Sequence, residues 1–162
     1  MFRESERLLF RELVEQDQQS VLAYRRLSTV KRFDTFGPNT EKEVTEIIRK
    51  ALSWQREEPR TRHYGAVCLK STKVLIGEYN LSIDKEASSA EVGFMFHPNY
   101  WGKGFAFETL EELQNYAKEC GVTKIVGTCD PKNLAAINVM SKAGMIQVSG
   151  GKSLRYSKEL PK

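Results

Sequence analysis

The chain has 162 residues, 40% hydrophobic and 28% charged, a balance that excludes disorder and suits a single folded domain over residues 1–162 with a core of its own. Lys and Arg number 25 against 21 Asp and Glu; the net charge of +4 is too small and too dispersed for a nucleic-acid-binding face but compatible with a polyanionic ligand. No apolar run approaches the ~18 residues of a membrane span, and Met1 to Glu6 lacks an apolar signal core, so a cytoplasmic protein off the membrane is expected. Cys68, Cys120 and Cys129 form no CxxC pair, and His63 and His97 stand apart, which predicts reduced thiols and no metal site.

In chain order, Arg7 to Arg11 reads as a first strand. A helix begins at Glu15-Gln16-Asp17, with Val21, Leu22 and Leu27 on one side, and ends before a loop from Arg32 to Pro38. A second helix starts at Thr40, an N-cap with Glu43 three residues on. Val44, Ile47, Ile48, Ala51 and Leu52 recur at helical spacing until Pro59 forbids continuation. Three strands follow as an antiparallel meander, His63 to Leu69, Val74 to Ile83 and Ser89 to His97, with polar turns between them. Gly104 to Cys120 is helical, with Ala106, Leu110, Leu113 and Ala117 as its apolar stripe and Gly121 as its stop. Lys124 to Cys129 is a short apolar strand, predicted to lie parallel to Ser89–His97 because a helix separates the two.

The stretch from Glu91 to Ala106 joins a buried strand to a helix through Gly102-Lys103-Gly104. Closely spaced glycines allow positive φ and close approach, and the free N–H groups and dipole of a helix start favour negative charge, so an anionic cofactor is expected. The spacing is not that of a P-loop, and no third glycine completes a dinucleotide fingerprint.

Tyr100-Trp101-Gly102-Lys103-Gly104-Phe105-Ala106 resembles the coenzyme A loop of the GNAT acetyltransferases, [RQ]-x-x-G-x-G/A, and most of all the ribosomal-protein-alanine N-acetyltransferase branch. Asn99 departs from the Arg or Gln of the first position, which leaves the backbone amides as the main hold. Glu6 to Leu13, Leu75 to Leu81 and Asn133 to Met145 are similar to further segments of the family, in the same order, and together cover nearly the whole chain. The resemblance implies an α/β (α+β) GNAT fold: a mixed central sheet of about six or seven strands flanked by helices, with a parallel strand pair splayed at its carboxyl end. It also implies acetyl-CoA as cosubstrate. Pantetheine lies along the backbone of Phe94, Met95 and Phe96, and the pyrophosphate lies on the N–H groups of Trp101, Gly102, Lys103, Gly104, Phe105 and Ala106. Phe94, Phe96 and Trp101 equally suit core packing, and Lys103 either reaches a phosphate or stays solvated. Asn133 falls where the family has an asparagine that bonds pantetheine or acceptor, and Asn138, a second expected cofactor contact, lies on the same helix about one turn and a half later; the two equally suit a helix cap and an exposed helix residue.

The implied chemistry is direct transfer of an acetyl group to a primary amine, a protein N-terminus or a small molecule, in a ternary complex. It needs a neutral nucleophile, a polarised carbonyl and a proton for the departing thiolate. The N–H of Met95 or Phe96 is expected to polarise the carbonyl. The two usual acid positions hold Met140 and Ala136, leaving water as the proton source. Glu91, or Glu78 on the neighbouring strand, is the expected base. Cys129, with no basic partner in its motif, is a poor nucleophile. The acceptor is not specified; Arg32 to Pro38, Glu58 to His63 and the Gly150-Gly151 turn are expected to border it, where Arg32, Arg60 and Arg62 with Phe33, Phe36 and Tyr64 suit either an acceptor with acidic and apolar parts or a solvated rim. A homodimer is left open. The missing acids keep a second reading alive, a catalytically silent acyl-CoA-binding module.

Overall fold

The computed structural model describes residues 1–33 and 39–161. Eight strands form one sheet: β1 (Arg3–Glu4), β2 (Leu8–Glu12), β3 (Arg62–Leu69), β4 (Leu75–Asp84), β5 (Ser89–Phe96), β6 (Lys124–Cys129), β7 (Ile146–Ser149) and β8 (Leu154–Glu159). Their order is β1-β2-β3-β4-β5-β6-β8-β7. The helices are α1 (Gln18–Arg25), α2 (Ser28–Lys31), α3 (Glu41–Trp54), α4 (Phe105–Glu119) and α5 (Leu134–Lys142).

The mixed sheet of the expected fold is present, with more strands than the expected six or seven. The two-residue β1 is one addition. Another is β7, whose four residues are all exposed, so it has no alternation of burial for a sequence pattern to show. The helix expected from Glu15 to the Arg32 loop is divided: a 3-10 turn covers Glu15–Asp17, α1 ends at Arg25, and Leu27 is extended before α2 begins. Leu27 is therefore exposed rather than on the apolar stripe.

β3 is buried at every position from His63 to Cys68, as a strand covered on both faces must be. One apolar layer lies beneath α4 and α5, where Phe105, Leu110, Leu113 and Ala117 meet Ile76, Leu81, Val92 and Ile125. The other lies beneath α1 and α3, where Val21, Leu22, Val44 and Ile48 meet Leu9, Ala66 and Cys68. The Thr40 cap forms as the sequence predicts: Thr40 Oγ1 accepts the Glu43 N–H at 3.3 Å, and Glu43 Oε2 accepts the Thr40 N–H at 3.0 Å. Gly121 and Gly144, both at φ +80°, close α4 and α5 in the left-handed conformation that glycine adopts without a Cβ clash.

What positions the site is the pairing of β5 with β6. They run parallel from Ser89↔Lys124 to Val92↔Gly127 and then part. Beyond that point β5 stays bonded to β4 from Gly93↔Asn80 to Phe96↔Gly77, and β6 stays bonded to β8 at Thr128↔Arg155 and Cys129↔Leu154. Each strand follows its outer neighbour, so a wedge opens between them.

Candidate active site

A cavity of about 600 Å³ fills this wedge. Its walls come from both sides of the sheet: Phe105, Phe107 and Leu110 of α4 and Ala136, Val139 and Met140 of α5 on one side, Thr29 and Val30 of α2 and the adjoining Phe33 on the other. Gly93, Met95, Gly127 and Thr128 border the gap through which the two sides communicate. A Cβ on Gly93 would lie 2.8 Å from Nδ2 of Asn80, its exposed neighbour on β4, so a larger residue there would have to displace that side chain.

At the α4 end, Gly102 (φ +72°) and Gly104 (φ +82°) turn the chain so that its amides point outward. The first internal bond of α4 is Glu108 N–H to Gly104 O at 3.1 Å. Among the described residues no protein acceptor takes the N–H groups from Gly102 to Phe107, which leaves six donors at the start of a fifteen-residue helix. The positive end of that helix adds to them, and the arrangement suits a pyrophosphate. Trp101 stands differently: its backbone N–H bonds Pro98 O at 3.1 Å and its indole Nε1 bonds Phe96 O at 2.9 Å, so it fastens the turn.

A clamp that sequence reasoning missed holds the loop. Arg7 Nη1 donates to Lys103 O at 2.8 Å, Arg7 Nε donates to Glu108 Oε2 at 2.8 Å, and the guanidinium lies 4.5 Å from the Phe105 ring. The sequence signal, Arg7 at the head of a family-like segment, pointed to a strand and not to its 101-residue reach to Glu108. The Lys103 ammonium lies 5.8 Å from the Tyr100 ring, and the residue is not part of the cavity wall.

Of the expected cofactor contacts, Phe94, Met95, Phe96, Trp101, Gly102, Gly104, Phe105, Ala106, Asn133 and Asn138 all line the cavity. Asn133 combines its two expected roles in one side chain. Oδ1 accepts the Ala136 N–H at 3.1 Å as the cap of α5, and the amide nitrogen is left to donate elsewhere. Asn138 is exposed on the same helix.

The two candidate carboxylates are not brought together. Glu78 is 2% exposed; its Oε1 takes Arg25 Nη2 and the Tyr64 hydroxyl, and its Oε2 accepts the Tyr24 hydroxyl at 2.9 Å. Burial and that carboxylate push both phenols up in pKa and keep them as donors. Glu91 is exposed, in register with Ser82 and Val126, and roughly 13 Å of strand separates it from Met95. Neither glutamate lines the cavity. Cys129 does, but burial and nearby Asp130 push its thiol up, the reverse of what an acyl-accepting cysteine needs.

The rim expected from Glu58 to His63 lies elsewhere. Arg60 holds Glu12 through two hydrogen bonds, and Arg62 pairs with Glu57 and covers the Trp54 ring. The Arg32 to Pro38 segment lies partly outside the described residues, its Phe36 included; Arg32 itself rests 5.0 Å from the Phe33 ring.

The family model described as an acetyltransferase (GNAT) domain matches residues 7–146. The chain is 31% identical over 142 residues to the uncharacterized N-acetyltransferase YnaD of Bacillus subtilis (strain 168), covering 87% of this chain and 80% of that protein. Its fold matches an acetyltransferase of the GNAT family from Bacillus anthracis with a TM-score of 0.82 at 26% identity, over 98% of each chain. It matches RimL, a ribosomal L7/L12 α-N-protein acetyltransferase solved with coenzyme A, with a TM-score of 0.84 over 98% of this chain and 97% of that one. At 12% identity the second likeness is one of fold.

Proposed function

The chain belongs to the GNAT acetyltransferase family and is an acetyl-CoA-dependent acyltransferase, and from that premise we propose direct acetyl transfer to a primary amine, with cofactor and acceptor entering the wedge from opposite faces of the sheet. The observation that carries this reading is the two-sided cavity, walled by α4 and α5 on one face and by α2 on the other. When bound, acetyl-CoA supplies an activated thioester. The six free amides from Gly102 to Phe107 and the dipole of α4 hold the pyrophosphate, and Arg7 and Glu108 keep the loop in that shape. The edge of β5 that β6 leaves from Gly93 to Phe96 takes pantetheine as a strand would, apart from Phe96 O, which the Trp101 indole holds, with the side-chain amides of Asn133 and Asn138 as donors.

The N–H of Phe96 polarises the thioester carbonyl, since the Met95 backbone faces β4 and not the wedge, and the amine approaches through the gap beside Gly93. Glu78 is occupied by three donors and serves as an anchor between α1 and the sheet. Glu91, open to water on the acceptor face, receives the amine proton through solvent. The raised Cys129 thiol supports a route without an acyl-cysteine. Met140 and Ala136 supply no acid, which favours the second reading, a silent acyl-CoA-binding module, if no acceptor reacts. Thiol release from acetyl-CoA, measured with N-terminal peptides, amino acids and polyamines, separates the two. Turnover with an acetylated product establishes the transferase, and tight binding without turnover of any amine establishes the silent module.

A further inference from the structure

We propose that the acceptor is an amine whose molecule also carries a carboxylate, and that Arg155 binds that carboxylate; the inference rests on reading the α2 side of the wedge as the acceptor entrance. Arg155, the second residue of β8, lies directly opposite Thr128 of β6, and opposed residues of an antiparallel pair project from the same face. Thr128 lines the cavity; Arg155 is not itself a wall residue but stands opposite Thr128 on the next strand, roughly 5 Å away, which sets its side chain beside the mouth. Most arginines that border the sheet are committed: Arg3, Arg7, Arg11, Arg60 and Arg62 each hold a carboxylate. Arg155 is exposed and holds none among the described residues.

On the α2 side Arg32, the C-cap of that helix and not itself a wall residue, repeats the pattern. Its guanidinium lies against the ring of Phe33, a wall residue, with no carboxylate among the described residues. The only acidic residue of the described wall is Asp130, and its Oδ1 already accepts the Lys132 N–H at 2.7 Å. Glu91 shares the Arg155 face, but two strand spacings and two residues of rise set it roughly 12 Å away. The mouth therefore presents forked donors without their acceptors, a geometry that a carboxylate satisfies and a polycation does not.

Thiol release decides the matter with matched acceptors: peptides differing only in Glu or Gln at the second position, and α-amino acids against their amides, with spermine as the cationic extreme. The expected result is a KM lower by about fivefold or more for the carboxylate member of each pair. Arg155→Gln should erase that gap, and Arg155→Lys should restore part of it. A gap in the peptide series assigns the carboxylate to a protein N-terminus, and one in the amino-acid series assigns it to a small molecule. Equal KM within the pairs, a preference for spermine, a gap that survives Arg155→Gln, or no turnover of any carboxylate-bearing amine overturns the proposal. Failure of acetyl-CoA to bind at all would instead sink the reading of the cavity, so the two failures are told apart.

Discussion

Glu78 and Glu91 sit on adjacent strands of similar composition, yet their surroundings give them opposite properties. Glu78 is the acceptor for Arg25, Tyr24 and Tyr64 beneath α1. Replacing it with Ala removes the acceptor of the buried Tyr24 hydroxyl and one half of a buried ion pair, and a loss of about 3 kcal/mol is expected from chemical denaturation. Glu91→Gln should barely change stability, because the side chain is exposed. It should lower turnover about tenfold near neutral pH while acetyl-CoA affinity holds, and the loss should shrink as pH rises and free amine accumulates. A pH profile of kcat/KM checks this; equal and pH-independent losses in both variants would leave Glu91 without a proton-transfer role. Sequence alone does not separate the two glutamates, because the Arg25 partner of Glu78 is 53 residues away and is delivered by a helix packing on the sheet.

At the scale of elements, the turn into α4 is the most legible part of the site, since positive φ at Gly102 and Gly104 is a local requirement that glycine writes into the sequence. A Cβ on Gly102 meets nothing within 4 Å, and one on Gly104 meets Arg7 Nη2 at 3.3 Å. Gly102→Asp thus places a carboxylate where the pyrophosphate would lie, without crowding the protein, and Gly104→Val adds backbone strain of about 1 kcal/mol or more. Saturating acetyl-CoA at about 100 times its Kd should stabilise the parent by about 2.7 kcal/mol. The double variant should lose that shift in Tm while remaining folded; Gly102→Asp alone should lose most of it and guards against unfolding by Val. A normal shift in both would remove the loop from the cofactor site. The Arg7–Glu108 clamp behind the loop is not legible in this way, because only the docking of α4 on β2 brings Arg7, in the bend before β2, beneath the turn.

For the whole molecule, acid stability follows from a histidine that the site does not use. His63 is buried beside Tyr116, and desolvation, with Arg60 and the N-terminal charge, lowers its pKa to about 4. The unfolded chain restores an ordinary value near 6.5, so between these values the unfolded state binds more protons. The contribution is fully present above about pH 6.5 and is lost as pH falls toward 4. Urea midpoints should decline through that window in the parent and flatten in His63→Gln. The depressed carboxylates Glu12, Glu43 and Glu108 add a separate loss below their ordinary value of 4.5. An unchanged slope in His63→Gln would assign the decline to other groups. No described helix is long and apolar enough to cross a membrane.

The sequence by itself determined the elements whose causes are local: the Thr40–Glu43 cap, the glycine stops of α4 and α5, the meander of β3 to β5, and the parallel β6 that a crossover helix demands. It also determined the family, since motif order along the chain needs no coordinates. Tertiary structure decided which arginines are spent and which are free, which glutamate is locked in the core, and how far the wedge opens. Those outcomes depend on contacts between residues far apart in the chain, and on strands that follow their outer neighbours once their own pairing ends, which no local periodicity encodes.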